Sequence, residues 1–391
     1  MARLANESLL LLAKRNLRCE YWSSDDTDEF RMKASSSNPR GRGAASNPAN
    51  RFERITLERN ADWNPEEDPA PKTMFYRDAS QTIITYNDSP DIPFNASLNP
   101  YRGCEHGCSY CYARITHEYL GFSAGLDFET KIMVKEDAPD LLRRELASAR
   151  WKPQLLAMSG VTDCYQPIER RLQLTRKCLA ILAEFRNPVG IVTKNHLVTR
   201  DIDLLIELAA HQAVAVNLSI NSLEMELARR LEPRASLPSH RLDAIAALSN
   251  AGIPVGVLIA PVIPALNDFE IPAILTAAKR AGAKWAAMVV LRLPLTVATI
   301  FQQWLDEHTP EKKGKVLDRI RAMRSGKLND PRFGNRMRAE GVFADQISKM
   351  FDIGCRKVEI PQEVPQLSTA SFCRPPGAQF ELDLQDTAGR P

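Results

Sequence analysis

No apolar run in the 391-residue chain approaches the roughly 20 residues that cross a bilayer, so no membrane-spanning helix is expected. The leucine-rich stretch at 9–12 is followed by Lys14, Arg15 and Arg18 and lacks a small-residue cleavage site. It reads as a short amphipathic helix rather than a secretory leader. Net charge is only +3, so overall charge implies no class of partner. A disulfide framework is missing as well. The eight cysteines (Cys19, Cys104, Cys108, Cys111, Cys164, Cys178, Cys355 and Cys373) are too uneven for a secreted scaffold. Three fall within eight residues and the rest are scattered, as in a metal site kept in a reducing compartment. A cytoplasmic protein is the expectation. There is no internal repeat beyond a strand–helix alternation, and no recognised DNA-binding motif.

Residues 1–70 offer little to bury. The stretch from 35 to 50 is Ser, Asn, Gly, Ala, Pro and Arg. Such a segment cannot offset its ordering entropy, so a largely disordered, basic N-terminal arm is expected. From 71 to 295 the pattern changes. Apolar runs of strand length at 155–158, 189–192, 213–220, 254–260 and 285–293 alternate with helical periodicity at 172–185, 202–210, 223–231 with 241–249, and 271–281. Continuous apolar strands between amphipathic helices mean a parallel sheet covered by helices. A strand at 95–98 would make six β/α units. That number is too small for an eight-stranded barrel and suits a partial (β/α)6 TIM-type barrel, with an open doubly wound sheet as the alternative. Either fold puts ligands at the carboxyl ends of the strands. Residues 296–360 read as a helical, basic C-terminal extension and 361–391 as an extended tail.

The segment 99–112 is Asn-Pro-Tyr-Arg-Gly-Cys-Glu-His-Gly-Cys-Ser-Tyr-Cys-Tyr, with Cys104, Cys108 and Cys111 spaced C-x3-C-x2-C. Soft thiolates select zinc or iron–sulfur clusters. Structural zinc wants four ligands, and His106 is a cramped candidate for the fourth. A cubane needs a ligand on each of four irons, so three thiolates leave one iron open. Gly103 and Gly107 suit a loop that wraps closely around a cluster.

This motif, with Tyr110 just before its last cysteine and a β/α barrel strand before its first, resembles the radical S-adenosylmethionine (SAM) superfamily. The surrounding 97–104 and 112–114 are similar to the group of spore photoproduct lyase and DNA repair photolyase-like proteins. The resemblance implies a [4Fe–4S] cluster whose open iron is chelated by SAM. One electron then breaks the S–C5′ bond, and a 5′-deoxyadenosyl radical abstracts hydrogen from substrate. It also implies an electron donor such as flavodoxin or ferredoxin.

Other residues fall at the expected strand ends. Ser159, Gly160, Thr162 and Asp163 follow the second strand, where the superfamily binds the SAM amine, although its usual Glu is absent. Lys194 ends the third strand and suits a carboxylate or phosphate. Asn217, Ser219 and Asn221 alternate onto one face of the fourth, where the resemblance puts ribose contacts. Residues 260–264 would make an apolar platform for adenine. Arg292 ends the sixth strand, where an arginine needs a carboxylate or phosphate. Cys164 is a candidate hydrogen-atom donor, by resemblance to the cysteine that spore photoproduct lyase uses beyond its second strand. Between 312 and 357 thirteen Lys/Arg face five Asp/Glu. That density, with Phe333 available to stack on a base, makes DNA or RNA a candidate substrate. Modification of a small metabolite or a protein side chain is a second reading, and a non-catalytic metal-binding module a third. Oligomeric state is not legible.

Overall fold

The computed structural model describes residues 41–52, 72–334 and 336–375. Parallel strands β3 (Ala96–Leu98), β6 (Leu156–Met158), β7 (Val189–Thr193), β8 (Val214–Ser219), β9 (Val255–Val262) and β10 (Ala286–Val290) form one sheet. Antiparallel β2 (Ile84–Tyr86) covers its β3 edge. The sheet order is β10-β9-β8-β7-β6-β3-β2. Among the parallel strands, spatial order therefore follows chain order. A doubly wound sheet would reverse at a switch point. Here every step goes the same way, as in a partial TIM-type barrel.

The helices after each strand bury one stripe against the sheet. Helix Leu174–Phe185 buries Leu174, Cys178, Leu179, Leu182 and Phe185, at helical spacing. Helix Ile202–Ala210 buries Leu205 and Leu208. Along β8 the even-numbered Val214, Val216 and Leu218 join the main apolar core, leaving Ala215, Asn217 and Ser219 for the other face. Gly256 of β9 is needed there: a Cβ would meet the Trp285 ring at 2.2 Å.

The first β/α unit is larger than expected. Its long connection holds the cysteine loop, a 3-10 helix (Tyr112–Leu120), and strands β4 (Tyr101–Arg102) and β5 (Lys131–Val134), which the upstream β1 (Met74–Arg77) joins in a small sheet. These strands are two to four residues long, below what periodicity can register.

Residues 41–52 correct the expectation of an arm with nothing to bury. Ala44 packs with Ala124, Leu126 and Ile300. Gly43 lies so close to the cysteine loop that a Cβ would sit 1.5 Å from the Gly107 carbonyl oxygen, and its N–H donates to Glu129 Oε2 at 3.1 Å. Asn47 and Asp127 exchange two hydrogen bonds of 2.9 Å. Small residues are what allow this close approach; hydrogen bonds and the Ala44 contact together hold the strap. The remainder of the expected arm, 1–40 and 53–71, lies outside the described residues.

Helices Thr296–His308, Pro310–Ala322 and Val342–Lys357 make up the C-terminal extension. The last approaches helix Ile271–Arg280 closely, with Gly354 against Leu275. The tail to residue 375 runs extended along the opposite end of the barrel, with Cys373 N–H donating to the Phe185 carbonyl.

Candidate active site at the carboxyl ends of the strands

The cysteine loop follows β4 directly and is turned by Gly103 (φ +80°) and Gly107 (φ +68°). At Gly107 a Cβ would come within 2.7 Å of Glu129 Oε2, so both conformation and space call for glycine. The Cys104 N–H donates to Phe128 O at 2.9 Å, and Ser109 N–H to Leu231 O at 3.0 Å. Cys104 and Cys108 are buried, Cys111 partly so. Cys104 packs with Ala113 and Phe128, Cys108 with Tyr110, Leu231 and Ile263; Cys111 touches both groups. The three thiols therefore surround one region.

Burial pushes the Cys108 thiol well up and, with Cys104 beside it, the Cys111 thiol up to about 11. A thiolate in this dry place needs a cation, and a metal supplies one. Among the described residues no three His, Cys, Asp or Glu side chains converge as the ligands of one ion. A cubane does not require convergence, because each thiolate goes to a different iron. The other ligand-type side chains of the loop are turned elsewhere. Glu105 accepts from the Ile168 N–H at 2.7 Å and pairs with Arg234 at 3.0 Å. His106 pairs with Asp163 at 3.3 Å and contacts Asn195 at 3.2 Å. Burial opposes a charged His106, but Asp163 and Cys104 raise it to about 10. The donor set thus fits a three-thiolate cluster.

Under the loop lies an ion pair with no exposed surface. Arg114 reaches Glu129 at 2.5 Å, and also donates to the carbonyls of Cys108 (2.9 Å), Ala124 (3.2 Å) and Gly125 (2.9 Å). This arginine ties the middle of the cysteine loop and the turn at 124–125 to one charge. Neither Arg114 nor Glu129 was expected as a site residue. The available signal was a charge on the buried face of a short helix, beside Ala113 and His117.

Residues 159–163, expected as free acceptors, are mostly engaged. Ser159 has φ +72° and accepts from the Cys164 N–H at 2.9 Å. The Gly160 carbonyl accepts from Tyr112 Oη at 2.8 Å. Thr162 donates to Tyr101 O at 2.9 Å. Asp163 accepts from Thr193 Oγ1 and Lys194 N–H, both at 2.8 Å, and from Tyr165 N–H at 2.9 Å. Burial favours the neutral acid, yet His106 and these donors hold Asp163 below the usual carboxylate range. The turn thus fastens the cysteine loop to β6 and β7. That corrects the reading of Thr162 and Asp163 as open ammonium acceptors.

Lys194 extends inward from β7. Its Nζ donates to Ser219 Oγ at 2.6 Å and to Ala260 O at 3.3 Å, and pairs with Glu232 at 3.3 Å. Glu232 is buried, accepts from Tyr110 Oη, and pairs with Arg241. Burial alone would raise Glu232, but Arg241 and Lys194 hold it low. Tyr110 is thus a fixed wall beside Cys108 and not a titrating group. Glu232 and Arg241 were missed in the sequence, although Arg241 stands on the buried face of its helix with Ala244, Ile245 and Leu248.

Asn217, Ser219 and Asn221 share the inner face as alternation requires, but differ in use. Asn217 Oδ1 accepts from Trp285 Nε1 at 2.8 Å, so it holds the barrel floor instead of lying open to a ribose. Ser219 donates to Ala260 O at 3.1 Å. Asn221 is fully buried with neither side-chain amide atom partnered among the described residues. An unpaired buried amide is costly, which makes Asn221 the residue of the three that fits a ligand.

Two further expectations change. Cys164 is 1% exposed and belongs to the main apolar core. Thr175 Oγ1 bonds to its carbonyl at 2.6 Å, and burial pushes its thiol well up. This is the setting of a packing thiol, not of an open hydrogen donor. Arg292 stands two residues beyond β10 because the strand ends at Val290. Among the described residues no carboxylate pairs with it; it lies over the Tyr112 ring, 5.2 Å from the centroid, and against Met337 Sδ. No helix among the described residues is long and apolar enough to cross a membrane.

Residues 98–278 match the family model described as the radical SAM superfamily. Proteins of Mycobacterium bovis and Mycobacterium tuberculosis, described as uncharacterized, are each 37% identical over 222 residues, 56% of this chain and 65% of theirs. An uncharacterized protein of Methanocaldococcus jannaschii is 34% identical over 173 residues, 44% of this chain and 62% of that one. The chain thus spans less than two thirds of the length of these relatives. Among solved structures, a spore photoproduct lyase variant superposes with TM-score 0.52 at 18% identity, over 73% of this chain and 78% of that one. Spore photoproduct lyase complexed with a dinucleoside spore photoproduct gives TM-score 0.52 at 17% identity, with the same coverage. These are likenesses of fold. Residues 98–278 are thus similar to the radical SAM superfamily, with the three cysteines in the loop after the first parallel strand.

Proposed function

We propose that this protein is a radical SAM enzyme that holds a [4Fe–4S] cluster on Cys104, Cys108 and Cys111 and abstracts hydrogen from a nucleic-acid base. The observation that carries the reading is the glycine-turned three-thiol loop whose remaining ligand-type side chains, Glu105 and His106, are committed elsewhere. Cys104, Cys108 and Cys111 would hold the cluster, which when bound would supply the one-electron chemistry that reductive cleavage of SAM requires. The protein's part is to position and to exclude water. Arg114 fixes the loop, Tyr110 and Ile263 wall the cluster side, and the Asn221 amide awaits a polar group of the cofactor. Lys194, already neutralised by Glu232, contributes hydrogen bonds more than net charge.

Support for a nucleic-acid substrate comes from the lyase-like fold and from the basic C-terminal extension. Reduction requires an external one-electron donor such as flavodoxin or ferredoxin.

The test is anaerobic reconstitution with iron and sulfide. Iron near four per chain and 5′-deoxyadenosine formed from SAM under a strong reductant are expected. A single zinc per chain in natively purified protein, with no iron uptake, would sink the reading in favour of a metal-stabilised module. Deuterium transfer from labelled oligonucleotides into 5′-deoxyadenosine would identify the attacked base; its absence, with SAM cleavage intact, would favour a metabolite or side-chain substrate.

A further inference from the structure

Among the described residues, most buried or partly buried arginines near the barrel have acids. Arg114 has Glu129, Arg241 has Glu232, Arg200 has Glu169 and Asp201, and Arg336 has Asp91. Arg324 lacks one but donates to the carbonyls of Leu291, Arg336 and Arg338. Arg292 differs from all of these. It is half-buried beyond β10, and its only hydrogen-bond partner among the described residues is the thioether of Met337, a weak acceptor. One face rests on Tyr112, the residue after Cys111. A guanidinium partly stripped of water and given neither acid nor carbonyl is a site prepared for an anion.

What surrounds Arg292 narrows the anion. Arg324 anchors the backbone of 336–338 to the end of β10, which brings the loop 327–338 to the mouth. This loop carries Lys327, Arg332, Arg336 and Arg338. It also carries Phe333, whose ring is 63% exposed and lies 4.6 Å beneath the Arg336 guanidinium. A carboxylate on a small metabolite would need none of this. A phosphate joined to a base that must be unstacked would use all of it: cations for the backbone and an exposed ring for a base.

We propose that Arg292 binds a phosphodiester of the substrate strand and that Phe333 stacks on a neighbouring unpaired base. The polar end of the strand is thereby held beside Tyr112 and the cysteine loop. This rests on the nucleic-acid reading above and makes it specific.

The experiment uses the full-length protein and a fluorescein-labelled single-stranded DNA 12-mer, with anisotropy followed across a salt titration. Arg292→Met should weaken binding about tenfold and reduce the log–log salt slope by about 0.7, the share of one phosphate on a single strand. Phe333→Ala should weaken binding severalfold with the slope unchanged, because stacking releases no counterion. Lys284→Met, exposed just before β10 at the end of the strand away from Arg292, should stay within about twofold, since a distant surface charge contributes little. Thermal melting of each variant verifies that it is folded.

Unchanged binding by folded Arg292→Met would overturn the proposal. So would a slope change in Phe333→Ala equal to that in Arg292→Met, which would mean diffuse attraction only. If thymidine monophosphate displaced the 12-mer at equal concentration, the anion site would belong to a small phosphorylated substrate and the strand assignment would fall. A loss of SAM affinity in Arg292→Met, by calorimetry on reconstituted protein, would make Arg292 a cofactor contact instead. Failure of cluster assembly or SAM cleavage in the wild type would strike the function proposed above; failure of oligonucleotide binding alone strikes only this inference.

Discussion

Between the sheet and its helices the buried side chains are nearly all aliphatic: Leu179, Leu182, Val216, Leu218, Ile245, Val257 and Ile274 are typical. At the carboxyl end of the same strands, buried charge takes their place. Glu129 with Arg114, Glu232 with Arg241 and Lys194, and Asp163 with His106 fill space that leucine would fill elsewhere. Aliphatic contacts are interchangeable, so their loss costs by volume. Charged contacts are obligatory in pairs, because removing one partner strands the other in a dry site. The first layer makes the fold, and the second fixes where a loop of three thiols stands. A site for reactive chemistry needs that positional control more than it needs stability.

Breaking the thiol loop should have the largest effect. Cys104→Ala should reduce iron incorporation to near background, whereas Cys178→Ala, in the aliphatic layer, should retain it; iron and sulfide assays decide. Equal iron in both variants would remove the loop from the metal site. Next come the buried pairs. Glu129→Gln leaves the buried Arg114 charge without a counter-ion, and should cost about 3–5 kcal/mol in denaturant unfolding. Leu179→Ala should cost roughly 2–5 kcal/mol. The two differ in a second readout: only Glu129→Gln should impair iron uptake at a temperature where both are folded. Equal iron uptake would erase the distinction between the layers.

Gly107→Ala meets both a positive φ and the Glu129 carboxylate. A loss of about 1–3 kcal/mol is expected, with weaker cluster retention on dilution. Gly252→Ala, also at positive φ but with open space around it, should show only the smaller conformational part of that loss.

The smallest effect is pH-linked. Burial lowers His117 to about 4, and its ring faces Lys131 O at 2.9 Å. The unfolded chain, with an ordinary histidine near 6.5, binds more protons between these values. Stability contributed by neutral His117 is therefore complete above about 6.5 and is lost as pH falls toward 4. Lowering pH from 7 to 5 should cost roughly 2 kcal/mol from this group. His117→Phe should flatten that part of the urea-midpoint profile; an unchanged slope would show that the group does not titrate as described.

The alternation of apolar strands with amphipathic helices was readable because each strand or helix repeats one local rule. Helix Ile202–Ala210 falls where periodicity puts it, and β6 through β9 fall within a residue or two. The C-x3-C-x2-C spacing was equally local, since all three thiols share one loop. What could not be read was which buried charge meets which. Tyr110 and Glu232 are 122 residues apart in the chain, and Gly43 and Glu129 86 apart. The packed strap at 41–52 was missed for the same reason: its composition describes a free coil, and only the surface it lies on makes it ordered. Cys164 and Arg292 looked alike as polar-capable residues near strand ends, yet one is sealed in the core and the other lacks an acid at the mouth. Sequence determined the elements and the three-cysteine loop, because backbone periodicity and short spacings are properties of neighbours. Tertiary structure decided the pairing, exposure and availability of every charged group, because those depend on desolvation by residues brought together only when the barrel curls.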